Sequence, residues 1–254
     1  GDSLTAIHLC SLVKKTTGRT LTVRDVFSTP TFGALRARLV GSVVRNPAPE
    51  PTVETVHGVF PASSAQRRMY ALCSMRNDTT AYNMALDHKV TGRLDVDRLR
   101  QACAALVSRH DQLRTSFHLE GAELMMHVHS EVPDVVSQEH VTAQEALRRL
   151  AAGPEPFDLA CAPLFRVEVL SVSETEHYLR LDLHHIVGDQ TSLAVLGKDL
   201  ADAGAGREPD VAPLPYPTYM ATLAELEASG AFAEDVAFFN DMIANAPMHL
   251  ELPY

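Results

Sequence analysis

A proline-bearing segment divides the sequence into two parts of different character. Residues 43–57 are interrupted by three prolines: Pro47, Pro49 and Pro51. Prolines at this spacing favour an extended chain over a helix or a paired strand. We therefore predict a linker at residues 43–57, which joins a small unit at residues 1–42 to a larger one at residues 58–254.

The part before the linker has the pattern of a small helical unit. Three helices are predicted: one that starts at Asp2 or Ser3 and runs to Lys15, a short one at Val23–Phe27, and one capped by Thr31 that runs to about Val40. A chain of about 40 residues rarely buries enough apolar surface to fold alone. This unit is therefore expected to be part of a larger helical bundle.

The part after the linker mixes helix and strand patterns. His177–His184 alternates apolar with polar side chains, which is typical of a strand with one buried face. Asp95–Arg109 places its apolar side chains on one helical face. Further helices are predicted at residues 63–75, 143–152, 191–200, 219–228 and 233–244, and further strands at 82–90, 113–119, 124–128 and 164–172. The predicted fold is α+β, with helices packed on a largely antiparallel or mixed sheet.

Composition excludes several classes of protein. Hydrophobic residues make up 46% and charged residues 21% of the chain, so a mainly disordered state is excluded. The net charge of −10 disfavours nucleic acid and anionic membrane surfaces as partners. No apolar run is long enough to cross a bilayer. The four cysteines lie far apart, which fits reduced thiols in a cytoplasmic protein.

Two adjacent histidines form the strongest chemical signal. They open the segment His184-His185-Ile186-Val187-Gly188-Asp189, between a predicted strand and a predicted helix. Where a strand ends, neighbouring side chains point in different directions, so one imidazole can face a cavity while the other packs inward. A neutral imidazole near pH 7 can take a proton from an attacking amine. Such a pair is also common in cores and on surfaces, and His127-x-His129 could add metal ligands, although no carboxylate spacing supports a metal site.

The segment Gly1-Asp2-Ser3-Leu4 carries a second signal. A serine at the start of a helix suits attachment of a phosphate-bearing group, because free N–H groups and the helix dipole favour an anion there. An ordinary helix cap is the simplest alternative. A nucleophilic serine is another, because GDSL esterases carry this tetrapeptide and Asp182-x-x-His185 formally matches their downstream pair. No strand precedes Ser3 in the sequence, which speaks against the esterase.

Taken together, the motifs resemble parts of a nonribosomal peptide synthetase. The first unit is similar to the latter part of a peptidyl carrier protein through Gly1–Ile7, Thr17-Gly18, Leu21, Val26-Phe27, Pro30-Thr31 and Leu35. The rest resembles the first half of a condensation domain through Ser63-x-Ala65-Gln66-x-Arg68-Met69-Tyr70-x-x-Cys73, Arg109-His110-Asp111-x-Leu113-Arg114-Thr115-x-Phe117, the segment His184–Asp189, and Leu250–Pro253. These motifs follow the family order and cover nearly the whole chain.

The resemblance implies a fold and an activity. The fold would be a chloramphenicol-acetyltransferase-like lobe, a mixed sheet flanked by helices, preceded by a partial carrier bundle. Ser3 would carry 4′-phosphopantetheine, and a donor thioester would be attacked by the amine of an acceptor aminoacyl thioester. His185 would act as general base or as a positioning group, and His184 would hold structure. Asp189 would form an ion pair with Arg114, or with Arg109 as the alternative, and Gly188 would give the loop freedom.

The implied partners are the other parts of an assembly line. They are donor and acceptor carrier proteins, adenylation domains, the second condensation lobe and a phosphopantetheinyl transferase, with no nucleic acid, membrane or metal. Some residues depart from the family pattern: Gln190 replaces the usual glycine, Thr191 an aromatic residue, and Thr218 the acid of a Tyr-x-Asp motif. If position 190 required a positive φ, its side chain would be costly. A non-catalytic recruitment module of condensation type is therefore the alternative function.

Overall fold

The structure is a computed structural model that describes residues 3–19, 21–29, 31–41, 57–75, 79–207, 213–244 and 246. It divides into two compact units, residues 1–52 and 53–254. Nearly all of the linker predicted at residues 43–57 lies outside the described residues, as do Gly1, Asp2 and the predicted motif at Leu250–Pro253.

The smaller unit contains three helices: α1 (Ser3–Thr17), α2 (Val23–Ser28) and α3 (Phe32–Gly41). Thr22 caps α2 in a capping box with Asp25, because the Thr22 hydroxyl accepts from the Asp25 N–H while the carboxylate accepts from the Thr22 N–H. Asp25 also pairs with Arg38 of α3 at 2.9 Å. One carboxylate therefore fixes the start of α2 and links it to α3.

The larger unit contains seven strands among its described residues: β1 (Gly58–Pro61), β2 (Asn83–Thr91), β3 (Thr115–Glu120), β4 (Glu123–Val128), β5 (Val136–His140), β6 (Phe165–Ser171) and β7 (Glu176–His184). They form a three-stranded sheet in the order β1-β4-β3 and a four-stranded sheet in the order β2-β7-β6-β5. Only the β5–β6 pair in these sheets is parallel. The predicted mixed sheet is confirmed.

Six helices complete the described part of the larger unit: α4 (Ser64–Ser74), α5 (Val96–Arg109), α6 (Ala143–Ala152), α7 (Gln190–Gly204), α8 (Tyr216–Ala228) and α9 (Ala233–Ile243). A single 3₁₀ turn, Asp111–Arg114, joins α5 to β3 where a longer strand was predicted. None of the helices in the described ranges has the length and apolarity that a bilayer-spanning helix needs.

The core lies between the sheets and the apolar faces of α5 and α7. Cys103, Phe117 and Met126 are fully buried there. Burial raises the pKa of the Cys103 thiol to about 12, so it remains protonated and behaves as a small apolar side chain. The four cysteines differ in exposure, since Cys73 and Cys103 are buried, Cys10 is half-buried and Cys161 is exposed.

Strand β7 differs from its prediction as a half-buried strand. It is the second strand of its sheet, between β2 and β6, and both of its faces are covered. The polar side chains that suggested a solvent face are paired with distant charges: Arg180 with Asp87 at 2.8 Å, and the fully buried Asp182 with Arg166 at 2.6 Å. Burial of these charges is tolerated because each has an opposite charge and further hydrogen bonds.

Candidate active site

The end of β7 and the start of α7 form a tight turn that carries the two histidines. β7 ends at His184 and α7 begins at Gln190. The Val187 N–H donates to the His184 carbonyl at 3.1 Å, and the His185 N–H donates to the Tyr82 carbonyl of the neighbouring chain segment at 2.8 Å. These backbone bonds fix where each imidazole leaves the turn.

The His184 side chain points into the protein and is only 3% exposed. Its Nδ1 accepts a hydrogen bond from the Ile186 N–H at 3.1 Å, so the proton of the neutral ring sits on Nε2, 3.7 Å from the Cys73 Sγ. Burial, with a smaller contribution from His185, lowers the pKa of His184 to about 4. The His184 imidazole is therefore buried and neutral near pH 7.

The His185 side chain points outward and is exposed. Its Nδ1 lies 2.7 Å from the Gly188 carbonyl oxygen. A carbonyl oxygen can only accept, so Nδ1 must carry the proton and Nε2 keeps its lone pair. This is the tautomer that a proton acceptor needs, and the Gly188 carbonyl would continue to accept from Nδ1 after Nε2 gained a proton.

A cleft of about 380 Å³ opens beside His185. Its wall includes Gln66 of α4, Gln112 of the 3₁₀ turn and Tyr216 at the start of α8. His184 lines a separate cleft of about 560 Å³, together with Cys73 and Phe157. The two histidines therefore line different clefts. The His185 cleft also includes Gly188 and Asp189 at the end of the turn.

Asp189 has a different partner from the one predicted. Its Oδ1 accepts from the N–H and the hydroxyl of Ser192, both at 2.8 Å, and the Ser192 Oγ accepts in return from the Asp189 N–H. This capping box holds the N-terminus of α7 and lowers the pKa of Asp189. Helix N–H groups and the helix dipole thus provide the charge stabilisation that an arginine was expected to give.

The two arginines considered for that ion pair are bound elsewhere. Arg114 is buried, donates to the His129 carbonyl oxygen, and lies close enough to Asp111 for that carboxylate to raise its pKa against the larger lowering by burial. Arg109 pairs with Asp199 of α7 at 3.0 Å. The hydrogen bonds that the structure shows at Asp189 are those of the helix cap, and the Arg114–Asp189 ion pair stays a prediction.

Gly188 is needed for close packing rather than for loop freedom. A Cβ at this position would lie 2.8 Å from the Leu183 Cδ2 and 3.1 Å from the Ser192 Cβ. Gln190 is the first residue of α7, and no described residue other than glycine has a positive φ. Position 190 therefore accommodates a side chain without backbone strain.

The other sequence candidates do not assemble a second site. The rings of His127 and His129 stack at 3.9 Å, but the described part of the chain contains no cluster of three or more metal-ligating side chains. Asp182 binds Arg166 and Asn83, and the His185 Nδ1 faces Gly188 instead. The aspartate–histidine pair of an esterase is thus not formed. Ser3 begins α1, and its side chain lies outside the described residues.

Two glutamines in the cleft were not identified as functional residues from the sequence. Gln66 completes a capping box with Ser63 and also donates to the Ile186 carbonyl at 3.4 Å, which ties α4 to the histidine turn. The Ser63-x-x-Gln66 spacing was a visible signal for the cap. Nothing in the sequence signals the position of Gln112, because the fold alone brings it beside Gln66.

Comparison with known proteins identifies this architecture. The model of the condensation-domain family matches residues 56–254. The chain therefore belongs to the condensation-domain family, and the larger unit has the chloramphenicol-acetyltransferase-like fold that the sequence implied, seen over one half of the solved relatives.

The relatives are large synthetases. The chain is 32% identical to tyrocidine synthase 3 of Brevibacillus parabrevis over its whole length, and covers 4% of that protein. It is 31% identical to surfactin synthase subunit 1 of Bacillus subtilis (strain 168) over 86% of its length, and covers 6% of it. The chain thus spans a small part of the curated relatives it matches.

Solved structures give the same fold. A complex of the X-domain and OxyB from teicoplanin biosynthesis matches with a TM-score of 0.69 and 28% identity, over 82% of this chain and 48% of that one. The condensation domain of the monacolin K polyketide synthase MokA matches with a TM-score of 0.68 and 21% identity, over 79% of this chain and 46% of that one.

The lowered pKa of His184 predicts a pH-dependent stability. Between its ordinary value of 6.5 and about 4, the unfolded chain binds the proton that the folded chain excludes. The free energy of unfolding therefore falls by about 3 kcal/mol as the pH drops through this window. In His184→Asn the amide oxygen can still accept from the Ile186 N–H but cannot titrate, so urea unfolding should show a flatter pH dependence.

The control for this pH dependence is Ser137→Asn, at an exposed site in β5. It changes no titratable group and should keep the wild-type slope between pH 6.5 and pH 4. A His184→Asn variant with the full wild-type slope would contradict the assignment of a buried neutral imidazole.

The packing around Gly188 predicts a loss of stability in Gly188→Ala. Leu183, which the new Cβ would meet, is itself 1% exposed and has little room to move. We expect destabilisation by about 1–3 kcal/mol in urea unfolding. Gly197→Ala is the control, because Gly197 lies within α7 with no atom within 4 Å of its added Cβ, and it should stabilise by about 0.5–1 kcal/mol. Equal effects of the two variants would refute the close approach.

Proposed function

We propose that the larger unit provides one half of an amide-bond-forming site, in which an acceptor amine attacks a donor thioester. The main support is the hydrogen bond from the His185 Nδ1 to the Gly188 carbonyl oxygen. This bond leaves the His185 Nε2 with a free lone pair beside the cleft. Membership of the condensation-domain family supports the same reaction. The role of His185 in this chain is our inference from that geometry.

In the proposed reaction the amine nitrogen attacks the thioester carbonyl carbon and a C–N bond forms. The C–S bond then breaks, and its electron pair leaves on sulfur. His185 Nε2 accepts the proton that the amine loses and returns it to the thiolate, so that an amide and a thiol are the products. Gly188 holds the imidazole in place through its carbonyl oxygen, and Asp189 keeps the turn in register by capping α7.

The partners follow from this chemistry. Donor and acceptor carrier proteins would deliver the two thioesters, and adenylation domains would load them. The solved relatives extend well beyond the matched part, since this chain covers only 48% of the first one described above. The second lobe of the same synthetase would therefore supply the opposite wall of the cleft.

We also propose that the smaller unit is the latter part of a peptidyl carrier protein, with 4′-phosphopantetheine on Ser3. Two observations support this: Ser3 is the first residue of α1, and the alignment with tyrocidine synthase 3 extends over the whole chain, residues 1–55 included. The group would supply a flexible arm with a thiol end. The N-terminal amides of α1 would stabilise its phosphate.

Incubation with coenzyme A and a broad-specificity phosphopantetheinyl transferase tests the carrier assignment. Intact mass should increase by one phosphopantetheine in the wild-type chain and in Ser28→Ala, and not in Ser3→Ala. Ser28 ends α2 of the same unit and is a matched serine control. Modification of Ser3→Ala, or none of a folded wild-type chain, would contradict the assignment.

A recruitment module is the second candidate function. The X-domain structure, which is a complex with OxyB, shares 28% identity with this chain, against 21% for the MokA condensation domain. In this chain, Gln190 directly follows the segment His184–Asp189 and departs from the condensation pattern. In this alternative the cleft would not perform acyl transfer, and a synthetase module would form product without His185.

Replacement of His185 separates the two functions. In His185→Asn the side-chain amide can still donate to the Gly188 carbonyl, so the turn keeps its bond while Nε2 is lost. In a synthetase module that contains this chain, we expect at least a 100-fold loss of condensed product, because a positioned general base contributes about 100- to 10,000-fold. Product is measured by mass spectrometry after hydrolysis of the thioester.

His88→Asn is the control for this experiment, because His88 is exposed in β2, outside the cleft. It should leave product formation at the wild-type level. Wild-type product formation by His185→Asn would overturn the acyl-transfer proposal and favour recruitment.

A further inference from the structure

Two glutamine side chains meet in the wall of the His185 cleft. Gln66 of α4 is 4% exposed, and its Nε2 lies 3.1 Å from the Oε1 of Gln112 in the 3₁₀ turn. Both residues line the cleft that His185 shares. They are 46 positions apart in the sequence, so only the fold brings them together.

A backbone N–H fixes which way each amide is oriented. The Ser63 N–H donates to the Gln66 Oε1 at 2.9 Å, so that atom must be the acceptor. The Gln66 Nε2 is consequently the donor toward the Gln112 Oε1 and, at 3.4 Å, toward the Ile186 carbonyl. The Ser63 N–H, the Gln66 amide and the Gln112 Oε1 thus form one series of hydrogen bonds. The Gln112 Nε2 is the group of the two side chains that takes no part in it.

The Gln112 Nε2 has no hydrogen-bond partner among the described residues, although it is buried. An unpaired buried donor costs free energy that a ligand acceptor would recover. Two other polar groups of the cleft differ from it: Ser192 is already bound to Asp189, and the His185 Nε2 carries a lone pair. Gln112 is therefore an uncommitted donor in the wall of the cleft that His185 also lines.

We propose that the Gln112 side-chain N–H binds a carbonyl oxygen of the acyl thioester in the His185 cleft. A carbonyl oxygen is an acceptor only, and its negative charge grows when an amine attacks the carbon. Gln112 would thus hold the substrate carbonyl while His185 receives the proton. The inference rests on the proposed acyl transfer for the identity of the substrate, and on the glutamine pair for the binding residue.

Binding of S-acetyl-pantetheine to the chain tests this contact without any turnover. The probe carries one thioester carbonyl, and the side-chain NH₂ resonance of Gln112 can be followed by ¹⁵N NMR. We expect that resonance to move during the titration, and we expect Gln112→Glu or the uncharged Gln112→Met to weaken binding about tenfold. Gln101→Glu, at an exposed position of α5 outside this cleft, adds the same charge and should bind as the wild type does.

A second variant tests the same contact by reversing the direction of the Gln66–Gln112 hydrogen bond. In Gln66→Glu the carboxylate still accepts from the Ser63 N–H but cannot donate, so the Gln112 amide would turn its NH₂ toward the carboxylate and its oxygen toward the cleft. We expect the same weakening as in Gln112→Glu, and no further loss in the double variant. Urea unfolding of each variant identifies any that fails to fold, and Gln112→Met then decides the result.

The outcomes separate this contact from the reaction. A Gln112 resonance that stays in place during the titration, or unchanged binding by both Gln112 variants, overturns the inference even if the module forms product. A Gln112 resonance that moves, with weakened binding in the variants, supports the contact even if His185→Asn leaves product formation unchanged and acyl transfer is refuted.

Discussion

The hydrogen bond from the Ile186 N–H to the Nδ1 of His184 is the interaction on which the site depends. It closes the turn at the end of β7 and fixes a neutral imidazole inside the protein, where burial lowers its pKa to about 4. His184 is the last residue of β7 and points inward, whereas His185 is the first residue of the turn and is exposed. The exposed imidazole then meets the Gly188 carbonyl, which selects its tautomer.

Further contacts join this turn to α4, α7 and β7. Asp189 caps α7, and the absence of a side chain at Gly188 lets Leu183 and Ser192 approach the backbone. Gln66 reaches across from α4 to the Ile186 carbonyl. Under the proposed acyl transfer His185 would exchange a proton with a substrate and would need a fixed position, which these contacts to the turn would help to provide.

The sequence was sufficient for the elements whose pattern is local. The amphipathic α5 and the strand–turn–helix around the histidines follow from residues that are neighbours in the chain. The different directions of His184 and His185 follow from strand geometry, and the Asp189-x-x-Ser192 spacing was a visible cap that the expected arginine pairing obscured.

Long-range partners account for what could not be predicted. Arg180 and Asp182 indicated a solvent-facing side of β7, and only the fold brings Asp87 and Arg166 to them. Strand β5 has mostly exposed side chains and little apolar alternation, so its pairing with β6 left no local signal. The Gln66–Gln112 pair could not be predicted either, because its members are 46 positions apart in the sequence.

The tautomer of His185 is the most direct test of this account. Long-range ¹H–¹⁵N correlation on the histidine-labelled chain, at a pH where the ring is neutral, distinguishes a protonated Nδ1 from a protonated Nε2. We expect Nδ1 to carry the proton and Nε2 the lone pair, because Nδ1 faces the Gly188 carbonyl at 2.7 Å. A proton on Nε2 in the neutral ring would contradict this expectation, because Nε2 would then have no lone pair with which to accept a proton in the cleft.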